Sequence, residues 1–163
     1  MIVIENKVAG LITHNNGKMR FLHSSPIPPV WRFPSFYYSI VPSGGWQNES
    51  NAVDGNINTY AINNTPNYPL ELFADDASTS NKLLIKAGTV LNYPCKVTIS
   101  CYREGNNWAI DEEILYTDYT LEDKKVNVLN IPKDIYALIV IKLTDWFGAP
   151  AGCLYEIKLG LAA

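Results

Sequence analysis

Between Cys95 and Tyr102 the chain alternates without a break: Cys95, Val97, Ile99 and Cys101 fall on one set of positions, Lys96, Thr98, Ser100 and Tyr102 on the other. A period of two puts the first set on one face of an extended strand and the second on the other, a pattern no helix produces. Strand-like runs recur at Ser35 to Val41, Leu70 to Ala74, Lys82 to Lys86, Ile110 to Tyr116, Lys125 to Leu129, Ala137 to Thr144 and Tyr155 to Leu161, with turn residues between them. No segment carries a long helical apolar period, and the chain has no internal repeat or low-complexity stretch. Strands punctuated in this way predict an all-β sandwich. The run from Ala137 is apolar almost throughout and is expected to be central. Lys125-Val-Asn-Val-Leu129 alternates in part, as a strand with one wet face does.

The first 34 residues read differently. Val8-Ala-Gly-Leu-Ile-Thr13 and Lys18-Met-Arg-Phe-Leu22 flank His14-Asn-Asn-Gly17, and Asn-Gly between two such runs signals a hairpin. Pro26-Ile-Pro-Pro29 follows, extended and stiff, and then Pro34. The chain therefore divides into an N-terminal hairpin arm with a Pro-rich linker, residues 1–34, and a sandwich domain, residues 35–163. A lone two-stranded hairpin is marginal in water. The arm either covers a sheet edge of its own domain or docks that domain onto a larger assembly.

At 163 residues the chain suits one domain, long enough to bury roughly two thirds of its unfolded surface without help from a metal or disulfide. Net charge is -3 and the 13 Lys and Arg are scattered. Phosphate recognition needs them clustered, so nucleic acid is excluded as the main partner. The longest apolar run, Ala137 to Ile141, falls far short of the about 20 residues that cross a bilayer, and no membrane insertion is expected. Met1-Ile-Val-Ile-Glu-Asn-Lys-Val lacks the basic start, apolar run and cleavage site of a leader. The chain reads as cytoplasmic, as released with a particle or by lysis, or as a mature form whose leader was removed; the initiating Met favours the first two.

Reactive side chains are scarce. On an unbroken strand Cys95 and Cys101 lie about 20 Å apart, beyond disulfide reach. Pairing of either with Cys153 stays open, but an odd count of Cys in a chain without a leader predicts reduced, buried thiols. The two His, His14 and His23, stand in the arm with no motif around them. In Asp111-Glu-Glu113 successive carboxylates alternate faces, whereas a pair working on a sugar comes from separate elements. There is no phosphate-cradling Gly loop, metal-ligand pair or nucleophile elbow. The chain is expected not to be an enzyme.

Asn51-Ala-Val-Asp-Gly-Asn-Ile-Asn-Thr-Tyr60 is the segment most at odds with regular structure, because Gly supplies unusual backbone angles and Asn and Asp fold back on nearby amides. It is a structured loop. Its carboxylate, amides, carbonyls and hydroxyl either hold a tight turn together or offer oxygens to a hard cation such as calcium. This loop is followed by Val97-Thr-Ile-Ser-Cys-Tyr-Arg-Glu-Gly-Asn-Asn-Trp108, then by Tyr136-Ala-Leu-Ile-Val-Ile-Lys-Leu-Thr144 and Leu154-Tyr-Glu-Ile-Lys-Leu-Gly160. In order and spacing the blocks resemble the discoidin or coagulation factor 5/8 type C family, within the galactose-binding-like superfamily, from about residue 35 to the end. Two positions depart from the family: Ala61 stands where a Trp is usual, and Glu104-Gly105 where an Asp-Gly turn is usual. The resemblance implies an eight-stranded antiparallel jelly-roll β-sandwich.

It also implies two sites. Members that bind calcium use this loop and the Glu of the closing strand, which here are Asp54, Asn56, Thr59 and Glu156, with backbone carbonyls around Ala52 and Asn58. A calcium ion there would be structural, clamping the two ends of the domain; Glu156 serves equally well as a salt-bridge or turn-capping partner. The ligand surface of the family lies on the loops at one end of the sandwich and takes carbohydrate, protein or lipid. Trp46, Tyr68, Arg103, Trp146 and Phe147 are the candidates, with Trp46 and Trp146 foremost, while Trp108 reads as a core or rim residue. An aromatic ring in a Gly- and Asn-rich loop stacks on a sugar face, and Asn, Gln and Arg add directional hydrogen bonds. No basic cluster accompanies Trp146-Phe147 to hold anionic lipid.

Two functions remain open. One is a non-catalytic module that recognises a glycan or cell surface as part of a phage particle, in the tail, baseplate or capsid decoration. The other is a purely structural assembly protein with no glycan binding. Stand-alone modules of this kind look similar to bacteriophage components, which would make the chain a virion protein, oligomeric or assembled with other virion proteins. Asn48-Glu-Ser50 and Asn63-Asn-Thr65 are formal glycosylation sequons that such a product never uses.

Overall fold

The computed structural model describes residues 2–4, 7–15, 18–26, 28–33, 35–36, 45–74, 78–105 and 110–162, with backbone alone over 2–26 and 35–36. Three strands, β1 (Ile2–Ile4), β2 (Lys7–Asn15) and β3 (Lys18–Pro26), form an antiparallel sheet of their own. The expected hairpin is β2 with β3, in register from Lys7 opposite Pro26 to Asn15 opposite Lys18. Its tip at 16–17 lies outside the described residues. Strand β1, pairing Ile2 with Ala9, was not anticipated, because three residues are too few to show a period.

The remaining strands are β4 (Val30–Arg32), β5 (Ser35–Phe36), β6 (Trp46–Gln47), β7 (Ala61–Asn63), β8 (Pro69–Phe73), β9 (Thr79–Thr89), β10 (Cys95–Arg103), β11 (Glu113–Leu121), β12 (Val126–Asp145) and β13 (Gly152–Leu161). They make the two layers of an antiparallel sandwich. One layer runs β12-β9-β13-β7-β6 and the other β11-β10-β12-β8-β5. Strand β12 belongs to both. Val126 to Ile135 pair with β9, and from Tyr136 onward the strand pairs with β10 and β8.

Two separate strands are expected here, Lys125 to Leu129 and Ala137 to Thr144, and Pro132, which lacks a ladder donor, lies between them. The structure instead puts Pro132 where the register slips between Asn130 and Asp134. A slip of this kind bends a strand without ending it, and sandwich strands change layers at such bends. The second half is central as expected, with Ala137 to Ile141 buried on both faces. In the first half the outward positions are Val126 and Val128, half exposed.

Three other boundaries moved. The run expected at Ile110 to Tyr116 becomes Glu113–Leu121, because Leu121 is buried opposite Cys95 and Glu113 stands opposite Cys101. Val30–Arg32, in the stretch read as linker, pairs with Leu159–Leu161, so the main sheet begins by residue 30. Of the strand expected at Ser35 to Val41, Ser35–Phe36 pairs with β8 and residues 37–41 lie outside the described residues.

The core fills the space between the layers. Cys95, Val97, Ile99 and Cys101 of β10 are fully buried, meeting Leu70 and Leu72 of β8, Leu83 and Ile85 of β9, Ile139, Ile141 and Leu143 of β12 and Leu154 and Ile157 of β13 in one cluster. The alternation at 95–101 is therefore the inward face of a sandwich strand.

Candidate functional site

The registers gather four connections at one end of the sandwich. Gly152 stands opposite both Asn63 and Thr89, Lys96 opposite Asp145, and Cys95 opposite Leu121. The segments 64–68, 90–94, 122–125 and 146–151 thus emerge together. Backbone bonds fix them: Asn67 N donates to Leu143 O (2.8 Å), Val90 N to Ala151 O (3.4 Å) and Lys124 N to Ala87 O (2.8 Å).

Two adjacent aromatics on segment 146–151 point opposite ways. Trp146 is 7% exposed and packs beside Gly152, where an added Cβ would come within 3.0 Å of its ring. Phe147 is 45% exposed. Its backbone is left-handed, φ 52°, followed by Gly148 at φ 87°, and its amide donates to Asp145 Oδ1 (2.8 Å). The left-handed turn aims the Phe147 ring outward, where Lys96 Nζ lies 5.5 Å from its centroid. On segment 90–94, Val90, Leu91 and Tyr93 are exposed. Tyr93 N donates to Thr89 Oγ1 (2.7 Å), and Lys124 Nζ donates to the side chain of Asn92, another left-handed residue. This end therefore presents two exposed aromatics, Tyr93 and Phe147, together with exposed Asn64, Asn67 and Asn92.

Several expectations for ligand residues are corrected by burial and position. Trp46 is 4% exposed, belongs to the core cluster, and donates through Nε1 to Tyr68 O (3.0 Å). Its ring has no free face to offer a sugar, and Trp146 is withdrawn in the same way. Tyr68 is half-buried against the core. Arg103 ends the 9-residue strand β10 that Cys95 begins, so it sits at the opposite end of the sandwich. There it holds Glu113 with two bonds (2.7 and 3.0 Å) and also Asp134, and these partners push its pKa up. Trp108 lies outside the described residues. Asn63, in the second sequon, is fully buried, and its Oδ1 accepts from Thr65 N (2.7 Å).

Tyr93 was missed because it precedes Pro94 at the edge of a strand. Its position after Asn92 satisfies the same rule, an aromatic in a turn-rich segment, that selected Phe147.

Among the described residues, the thiols and the neighbouring carboxylates Glu112 and Glu113 are engaged in the fold. Burial pushes the Cys95 and Cys101 thiols up to about 12 and Cys153 to about 11, and thiols so protonated are poor nucleophiles. Glu112 accepts from Ser100 Oγ (2.5 Å) and Glu113 is held by Arg103. Both carboxylates do structural work.

The residues expected to hold calcium do not fit the ion. Asp54 and Glu156 differ in setting, one exposed and the other 4% exposed. Asp54 Oδ1 accepts from Asn56 N (2.7 Å) and Oδ2 from Thr59 Oγ1 (2.6 Å), while Asn56 Oδ1 accepts from Asn58 N (3.1 Å). Thr59 and then the Asn56 amide lower the Asp54 pKa. Glu156 Oε1 lies 2.7 Å from Lys158 Nζ. Calcium takes six to eight oxygens, and every predicted side-chain ligand already has a protein partner. Among the described residues no group of three His, Cys, Asp or Glu comes together, and no helix is long and apolar enough to cross a membrane.

No protein-family model matches the sequence, and no curated protein does. Solved structures are similar. One is a pectin-binding carbohydrate-binding module, 18% identical, with a TM-score of 0.58 over 71% of this chain and 81% of that one. Another is the family 32 carbohydrate-binding module of C. perfringens NanJ in complex with galactose, 19% identical, with a TM-score of 0.56 over 82% and 93%. Truncated AlyQ, with CBM32 and alginate lyase domains, gives 13% identity and a TM-score of 0.62, over 83% of this chain and 34% of that one. At these identities the likeness establishes the fold alone, an antiparallel β-sandwich like that of these carbohydrate-binding modules.

Proposed function

We propose that the chain is a non-catalytic carbohydrate-binding module whose ligand face is the end formed by segments 64–68, 90–94 and 146–151. The observation that carries this reading is the outward Phe147 ring, held by a left-handed backbone beside the buried Trp146 and joined by exposed Tyr93. Rings fixed in this way stack on the apolar face of a sugar with little loss of freedom on binding, and neighbouring Asn side chains supply both donors and acceptors. The structural neighbours, named as modules for pectin and in complex with galactose, support the ligand class.

The test is a glycan array with the purified chain, followed by titration calorimetry on the strongest hit. Phe147→Ala and Tyr93→Ala are each expected to weaken binding about tenfold, the loss of ~1.4 kcal/mol. Full affinity in both variants would place the ligand elsewhere, and a folded chain that binds no glycan would end the reading.

A second reading, assembly into a larger particle such as a phage tail or baseplate, is favoured by the separate sheet β1-β2-β3. The two readings are compatible, since an adhesion module needs an attachment point.

A further inference from the structure

The loop at 54–59 meets the sheet through a lysine. Lys86 Nζ donates to Ile57 O (2.9 Å). The Lys86 ammonium also lies 5.0 Å from the centroid of the Tyr155 ring, which meets Tyr60 at 5.1 Å. On the β9–β13 ladder Lys86 stands opposite Glu156, and the register slip between Leu154 and Glu156 sets both Tyr155 and Glu156 against this one residue. A bulge of this kind crowds two side chains of one strand onto the partner. One ammonium thus touches a carbonyl of the loop and an aromatic face of the closing strand, and it is carried by β9, which pairs with that closing strand. The Glu156 carboxylate has its own cation in Lys158.

We propose that Lys86 is the resident cation of this junction, tying loop 54–59 to β9 and β13 in the way a calcium ion would, so that the module folds and stays folded without calcium. The loop oxygens are distributed to match. Asp54 and Asn56 spend their side-chain oxygens on amides and a hydroxyl inside the loop, which shapes the turn by itself. A carbonyl left to face the sheet then needs one donor, and an ammonium supplies up to three. A calcium ion brought to the same oxygens would have to displace Lys86 from Ile57 and Lys158 from Glu156, against the repulsion of two positive charges.

The experiment is thermal unfolding of the full chain in chelator and in millimolar calcium, for the wild type, Lys86→Met and Lys86→Arg. Met keeps an apolar stem and removes the charge; Arg keeps the charge and its donors. The wild-type midpoint should be the same in both solutions, Lys86→Met should melt several degrees lower, and Lys86→Arg should stay near the wild type. A wild-type midpoint raised several degrees by calcium, or a saturable calcium isotherm on the wild type, would overturn the proposal. So would a Lys86→Met variant as stable as the wild type, since the ammonium would then hold nothing. The wild-type comparison requires no variant to fold, and none of these readouts depends on a glycan.

Discussion

Phe147 and Trp46 look alike in the sequence, each an aromatic in a Gly-containing loop, yet one faces solvent and the other lines the core. The backbone decides. Phe147 is held at φ 52°, a region that costs an L side chain roughly 1–2 kcal/mol and glycine almost nothing. Phe147→Gly is therefore expected to be more stable than Phe147→Ala by about 1 kcal/mol in urea unfolding, while both lose the outward ring. If Ala is the more stable of the two, the left-handed conformation is not carrying strain. Trp46→Ala removes a buried ring and should cost about 3–5 kcal/mol, measured by the same unfolding. These contrasts mark the limit of sequence reading at this scale. The alternation at Cys95 to Cys101 fixed side-chain direction because a strand has two faces, whereas a loop residue takes its direction from φ, which no residue pattern in 43–50 or 145–150 reveals.

At the scale of elements, β12 is the part of the fold that sequence reading broke and the structure joined. Its slip at Asn130 to Asp134 is braced by Arg103 from β10, which bonds Asp134 and Glu113 of β11. The Ile135 amide (2.7 Å), and next the Arg103 guanidinium, hold the Asp134 carboxyl below the usual carboxylate range. A folded-state pKa below the unfolded value of about 3.9 adds stability that is complete above the unfolded pKa and is lost as pH falls through the folded one. The Asp134 side chain is 39% exposed, so solvent screens the effect and it should be small. Asp134→Asn is expected to lower the urea midpoint at neutral pH and to flatten its decline on acidification. An unchanged acid limb would remove Asp134 from the bracing. Strand β4 was hidden in a different way, since three residues set among prolines carry no period. Its anchor is Trp31, whose ring lies where a Cβ on Gly160 would come within 2.6 Å. Gly160→Val should displace that ring and lower the melting temperature, with Trp31 fluorescence shifting toward solvent.

For the molecule as a whole, the sandwich has two unlike ends. One carries exposed aromatics over rigid connections, and the other carries the Arg103 ion pairs. If the proposed ligand face lies at one end, the rest of the surface is left for attachment, and the separate sheet β1-β2-β3 is the segment on which the assembly proposal rests. Among the described residues β1, β2 and β3 bond in ladders with one another, whereas β4, a few residues later, is bonded into the sandwich. Removing residues 1–27 therefore leaves every described sandwich ladder intact. The shortened chain is expected to melt at the wild-type temperature and to bind a monovalent glycan with unchanged affinity. If the sheet joins copies into an assembly, its loss should reduce the mass seen by light scattering and weaken attachment to a surface bearing many glycans, where linked sites raise avidity by orders of magnitude. A shortened chain that no longer folds would make the N-terminal sheet part of the core. An unchanged mass would end the assembly reading for this segment, leaving glycan recognition to stand on the aromatic end alone.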